Sequence, residues 1–153
     1  MPGARYSASG NNTLTSTPGD TCLSLVGITA SLRRSWTYEL IFGNEGTPAD
    51  QVLNWTVHRC TAEGTATAVV PTRLDLADAE SDMNVGENHT AEPTYTSTEE
   101  LLEYPLNTRG TFRWVATPGS EIVTPATNDA GYGIVAFHAS ITTDYRATAL
   151  WIE

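Results

Sequence analysis

The stretch RRSWTYELIFG, residues 33–43, decides the fold. Taken two residues at a time, Trp36, Tyr38, Leu40 and Phe42 share one face and Ser35, Thr37, Glu39 and Ile41 the other, which is the pattern of a half-buried strand. The alternation returns in DQVLNWTVHRC, residues 50–60, with Leu53, Trp55 and Val57 on one side and Asn54, Thr56, His58 and Cys60 opposite. Phe112, Trp114 and Ala116 alternate about Arg113, and YGIVAFHAS and YRATALWIE are rich in β-branched and aromatic residues. Trp36, Trp55, Trp114 and Trp151 all fall in such runs and are expected in the core. Helical periodicity is almost absent. Between the runs lie turn sequences, GNEGTPAD, TAEGT, NTRG, TPGS, TNDAG and ITTD. Short strands punctuated in this way predict an all-β domain, an antiparallel β-sandwich or jelly-roll-like barrel of roughly eight to ten strands.

Two segments break the rhythm. Residues 1–20 are polar and rich in Ser, Thr, Asn and Gly, and are expected to form an N-terminal arm ahead of a single β domain over 21–153. Residues 72–98 contain no convincing strand and are expected to be a long acidic loop: from Asp75 to Glu103 nine acidic residues occur without an arginine. Within it, DLADAESDM suggests a short helical turn that tucks Leu74, Leu76 and Met83 against the body. Arg5, Tyr6 and Leu14 of the arm, and Leu74, Leu76, Met83 and Tyr95 of the loop, are the candidate partner-contact residues.

Composition narrows the function. With 153 residues the chain is one domain's worth, and at 40% hydrophobic and 17% charged it is globular. All eight basic residues are arginine, and against 18 acidic ones they leave a net charge of −10. Such a surface repels phosphate backbones and anionic lipid, so neither nucleic acid nor membrane is an expected partner. The N-terminal stretch shows no basic segment followed by an apolar one, so the expected route is cytoplasmic synthesis without secretion. Cys22 and Cys60 are too few for a disulfide framework and are expected as buried thiols. Asn11, Asn54 and Asn88 begin glycosylation sequons that have no meaning without a secretory route.

Signals for chemistry are weak. His58 and Cys60 lie two apart on one strand face, their Cα atoms about 6.5–7 Å apart at a rise of ~3.3 Å per residue, too far for parallel side chains to form a nucleophile–base pair. His58, His89 and His138 are scattered, without the spacing that anchors zinc, and Asp75, Asp78, Glu80 and Asp82 lack the order of a calcium loop. No phosphate cradle and no Gly-x-Ser-x-Gly elbow occurs. No catalytic, cofactor-binding or metal-binding residue is therefore assigned. A hydrolase would need carboxylates that converge in space.

At GTPADQVLNWTVHRCTAEGTATAVVPTRLDLAD, GENHTAEPTYTS and LNTRGTFRWVATPGSEIVTPATNDAGYGI the chain resembles small structural proteins of tailed bacteriophages, the capsid decoration or cement proteins, including those of cyanobacterial phages. The resemblance covers roughly residues 20–153 and lies in turn and strand signatures, with no catalytic motif to carry over. It implies a virion protein bound in many copies to the capsid exterior. There it would bridge neighbouring major capsid proteins, commonly as a homotrimer and sometimes as a dimer or monomer. Ends that order on docking and strand edges that accept a neighbour's strand are the expected routes of binding. The alternative is a carbohydrate-binding or host-recognition β-sandwich of a virion fibre, which needs an exposed aromatic platform, with Tyr95, Tyr104 and Tyr132 as candidates.

Overall fold

The computed structural model describes residues 3–15, 19–138 and 140–153. They form twelve strands: β1 (Arg5–Thr15), β2 (Asp20–Gly27), β3 (Ser35–Asn44), β4 (Val52–Ala62), β5 (Thr65–Ala68), β6 (Thr72–Arg73), β7 (Met83–Ala91), β8 (Thr94–Asn107), β9 (Thr111–Val115), β10 (Ile122–Thr124), β11 (Gly131–Phe137) and β12 (Thr142–Ile152). Two six-stranded antiparallel sheets pack face to face. The first runs β10-β3-β12-β1-β6, with β9 also on β3, and the second runs β5-β7-β2-β11-β4-β8. The expected all-β sandwich is the architecture found, with more strands than the eight to ten anticipated.

The arm is a correction. Residues 5–15 pair with β12 along their whole length, Arg5 opposite Ile152 through Thr15 opposite Thr142. The buried positions of β1 are Tyr6, Ala8, Gly10, Asn12 and Leu14. The alternation is complete, but three of its five inward residues are small or polar and carry little hydrophobic signal. Residues 1, 2 and 16–18 of the expected arm lie outside the described residues.

The long loop is a second correction. β6, β7 and the start of β8 occupy most of 72–98, and only 74–82 and the two residues 92–93 between β7 and β8 are irregular. There the expected helical turn is a tight turn, Asp78 N–H donating to Asp75 C=O at 3.0 Å and Ala77 N–H to Asp75 Oδ1 at 2.9 Å. The segment is tied down where Tyr6 Oη donates to Ala79 C=O at 3.0 Å.

The core lies between the sheets. Trp55 stacks on Phe42 at 4.8 Å and meets Tyr145 edge-on at 5.4 Å, while Tyr6 stacks on Trp151 at 5.8 Å. Trp36 departs from expectation. In the pairing of β3 with β12, Leu150 faces Glu39 and Trp151 faces Thr37, so Tyr38 is an extra residue, a β-bulge. The bulge reverses the faces on its N-terminal side: Ser35 and Thr37 turn inward with Leu40 and Phe42, and Trp36 turns outward, 39% exposed. Trp114 is half-buried on the edge strand β9.

Candidate functional site

β4 keeps the alternation read from its sequence. Leu53, Trp55 and Val57 are buried against the other sheet, so Asn54, Thr56 and His58 stand on the outer face. Strand register lays out that face in rows. One row is Glu103, Thr56, Val135 and Thr21, from β8, β4, β11 and β2; a neighbouring row is Pro105, Asn54 and Phe137; on the other side come Glu100, His58 and Gly133. The face is not left to solvent. The turn between β7 and β8 folds over it, and Tyr95 lies directly on Gly133, where even a Cβ would collide with its hydroxyl. Tyr95 Oη and Thr21 Oγ1 share a hydrogen bond, and Thr21 also donates its N–H, at 3.0 Å, and its hydroxyl to Glu92 Oε2.

What remains open is a trough of ≈ 500 Å³ floored by Thr56 and Val135, walled by Tyr95, His58, Glu92 and Glu103, and rimmed by Asn54, Phe137 and Gly19. Its size falls in the range of ligand pockets, about 300–1,000 Å³. Burial pushes the Glu92 carboxyl above its ordinary value, an effect opposed by the two hydrogen bonds from Thr21.

The His58–Cys60 pair forms no dyad. His58 Nε2 faces Glu100 Oε1 at 3.2 Å, its ring meets Tyr95 edge-on at 5.3 Å, and its Nδ1 is buried without a hydrogen-bond partner among the described residues. Cys60 is buried, and desolvation pushes its thiol up to about 12, so it is protonated at neutral pH. Cys22 is also a buried free thiol, donating to Gly10 C=O at 3.1 Å.

A serine, a histidine and a glutamate do meet on this face. Ser24 Oγ lies 3.1 Å from His89 Nε2 and donates to Glu63 Oε1 at 3.2 Å. The order is wrong for nucleophilic catalysis. The hydroxyl sits in the middle with its residue fully buried, and His89 Nδ1 faces Thr21 C=O at 3.3 Å instead of a carboxylate. This trio is a buried polar network that seats β7 on β2. Among the described residues no three His, Cys, Asp or Glu side chains are grouped as metal ligands.

The seven expected contact residues separate. Tyr6, Leu14 and Met83 are core residues, 1%, 0% and 4% exposed, and their assignment to an interface is corrected: each is an inward position of a paired strand. Tyr95 is half-buried and committed to Thr21. Arg5, Leu74 and Leu76 are exposed, and Leu74 N–H donates to Arg5 C=O at 2.8 Å, which places Leu74 beside Arg5. Leu74 and Leu76 are thus not tucked against the body: they are 51% and 85% exposed, and Val70, on the other side of β6 in sequence, is 86%. For the glycan platform, Tyr132 is fully buried with its hydroxyl on Thr37, and Tyr104 is half-buried against Phe112.

The strand edges offer less than expected. Among the described residues no strand pairs with the outer flank of β1 beyond Ser7. Yet the N–H groups of Asn11, Thr13 and Thr15 are each taken by a side-chain oxygen, from Glu87 at 2.9 Å, Asn12 at 2.8 Å and Asp20 at 2.8 Å. The edge strand β8 carries Pro105, which has no N–H, together with Glu99, Glu100 and Glu103. Capped amides, proline and charge are devices that blunt strand addition. Sequence reading missed both the trough and these caps, because each joins residues far apart in the chain. Compared with known proteins, the chain matches no family model, no curated protein and no solved structure.

Proposed function

We propose that this chain is a structural virion protein, a capsid decoration protein that binds the outside of a phage head and bridges neighbouring major capsid proteins. The observation that carries the reading is the exposure of three large apolar residues close together in sequence, Val70, Leu74 and Leu76, with Leu74 bonded through its N–H to Arg5 C=O. These side chains stand on the segments that flank β6 in an otherwise well-packed sandwich, and large apolar side chains exposed this near one another in sequence support a surface that another protein covers. The like charge of a net −10 chain keeps free copies apart, so binding depends on such local contacts. With its edge amides capped, the sandwich docks by side-chain surfaces in preference to strand addition. The resemblance in turns and strands to decoration proteins supports the same reading.

The test is co-sedimentation with expanded capsids that lack this protein. Saturable binding, with a gain in capsid resistance to heat and low salt, is expected, and Leu74→Ser with Leu76→Ser in one chain is expected to weaken it. Capsids that neither bind the protein nor gain resistance would end the proposal.

A further inference from the structure

We infer that the trough on the outer face of the second sheet receives an arginine side chain, carried on an extended segment of the protein that this chain docks on. The inference rests on the proposed function for the source of the arginine and on the trough itself for the chemistry.

Both banks of the trough are carboxylate, Glu103 from β8 and Glu92 from the turn after β7. Among the described residues neither has a cationic partner, while Arg33, Arg109, Arg113 and Arg146 are spent on Asp82, Asp50, Glu39 and Glu45. Glu92 is not a loose surface acid. Although Glu92 is exposed to solvent, two donors of Thr21 fix its Oε2, and partial desolvation raises its carboxyl, an effect that an incoming cation opposes. At the rim Phe137, 38% exposed, presents an aromatic side chain in the row next to Thr56 and Val135.

An arginine answers each feature. Its guanidinium has five donors and no acceptor, pairs with carboxylates in a planar fork, and stacks on aromatic faces. An anion meets the repulsion of both carboxylates, and a neutral sugar leaves them without a countercharge. From Glu103 across Thr56 to Val135 the open floor spans two strand spacings, about 10 Å at ~4.8 Å each. That length suits about three residues of extended chain better than a lone ion.

The experiment is an NMR titration with Nα-acetyl-arginine amide, with the citrulline compound as its uncharged counterpart, run beside capsid co-sedimentation. The arginine compound is expected to shift the amides of Asn54, Thr56 and Phe137, and the citrulline compound to leave them in place. Glu103→Gln and Glu92→Gln should each weaken the titration roughly tenfold, the effect of one charge-assisted hydrogen bond, and lower affinity for capsids. Thermal unfolding verifies that both variants are folded. The Leu74→Ser, Leu76→Ser chain should titrate as the unmodified protein does, because those residues lie outside the trough. Unmoved amides, equal shifts from citrulline, or a neutral glycan that shifts them where arginine does not would overturn the inference, as would undiminished capsid affinity in both carboxamide variants. Arginine binding in the trough of a protein that no capsid retains would uphold the trough's chemistry and overturn the proposed function.

Discussion

The two sheets solve the same problem differently. In the first, β1 and β12 alternate buried and exposed positions along their length, one dry face and one wet one, as antiparallel sheets commonly do. In the second, β2 is buried from Thr21 to Gly27 without a break, and β11 from Gly131 to Ile134. Its inner face is hydrocarbon and aromatic, whereas its outer face is roofed by polar side chains: Tyr95 on Thr21, Glu92 on Thr21, and His89 and Glu63 on Ser24. A sheet covered twice has no spare surface except where the roof stops, and there the trough opens. The most exposed large apolar residues, Val70 and Leu76, stand instead on the segments that flank β6.

The comparison can be tested by substitution. Trp55→Ala on the inner face removes the ring that joins Phe42 to Tyr145 and is expected to cost about 3–5 kcal/mol in chemical denaturation. On the outer face, Gly133→Ala drives a methyl group into the Tyr95 ring, whose Cζ would lie 3.0 Å away. Overpacking of this kind costs about 1–3 kcal/mol. The Tyr95 ring signals should move while those of Trp55 stay, and a variant as stable as the parent with an unshifted Tyr95 would mean that the roof is loose.

A smaller effect concerns pH. Burial holds the His89 imidazole below its ordinary value of 6.5, so its neutral form is favoured by folding. The stability linked to it is present above 6.5 and lost as pH falls through the lower folded value. Glu63 and Glu92, both raised by burial, act in the opposite sense: what they contribute is complete below their ordinary 4.5 and lost as pH rises through their folded values. Subtracting the stability of His89→Gln from that of the parent isolates the histidine, and the difference should shrink on acidification. Two parallel curves would remove His89 from the roof's account. Smallest of all, the Leu74→Ser, Leu76→Ser chain should unfold within about 0.5 kcal/mol of the parent, because exposed side chains contribute little to stability. A large loss would show that the segment is part of the core and not a docking surface.

Strand existence was legible wherever large apolar residues alternate, as in β3, β4 and β12. It was not legible in β1, where Gly10 and Asn12 occupy inward positions, nor in β7, where Gly86 and His89 are buried on the roofed outer face. Their burial follows from a neighbour that approaches closely, Cys22 and Glu87 over Gly10, Ala66 and Glu63 over Gly86, and nothing in the local sequence announces that neighbour. The site was legible only in part. Asn54, Thr56 and His58 were read as one face of β4, but Glu92, Tyr95, Glu103 and Phe137 come from other strands and turns, and only register brings them together.

By itself the sequence determined the all-β class and most of the strand and turn positions, because alternation and turn chemistry act over a few residues. It also determined the acidity that bears on partners. Tertiary structure decided which way Trp36 faces, because one extra residue at Tyr38 reverses a strand's faces and is visible only in the pairing with β12. Tertiary structure also decided whether Tyr6 and Leu74 are core or surface, since equally apolar side chains are buried only where a second layer exists to cover them: Tyr6 has Trp151, and Leu74 stands half in the open.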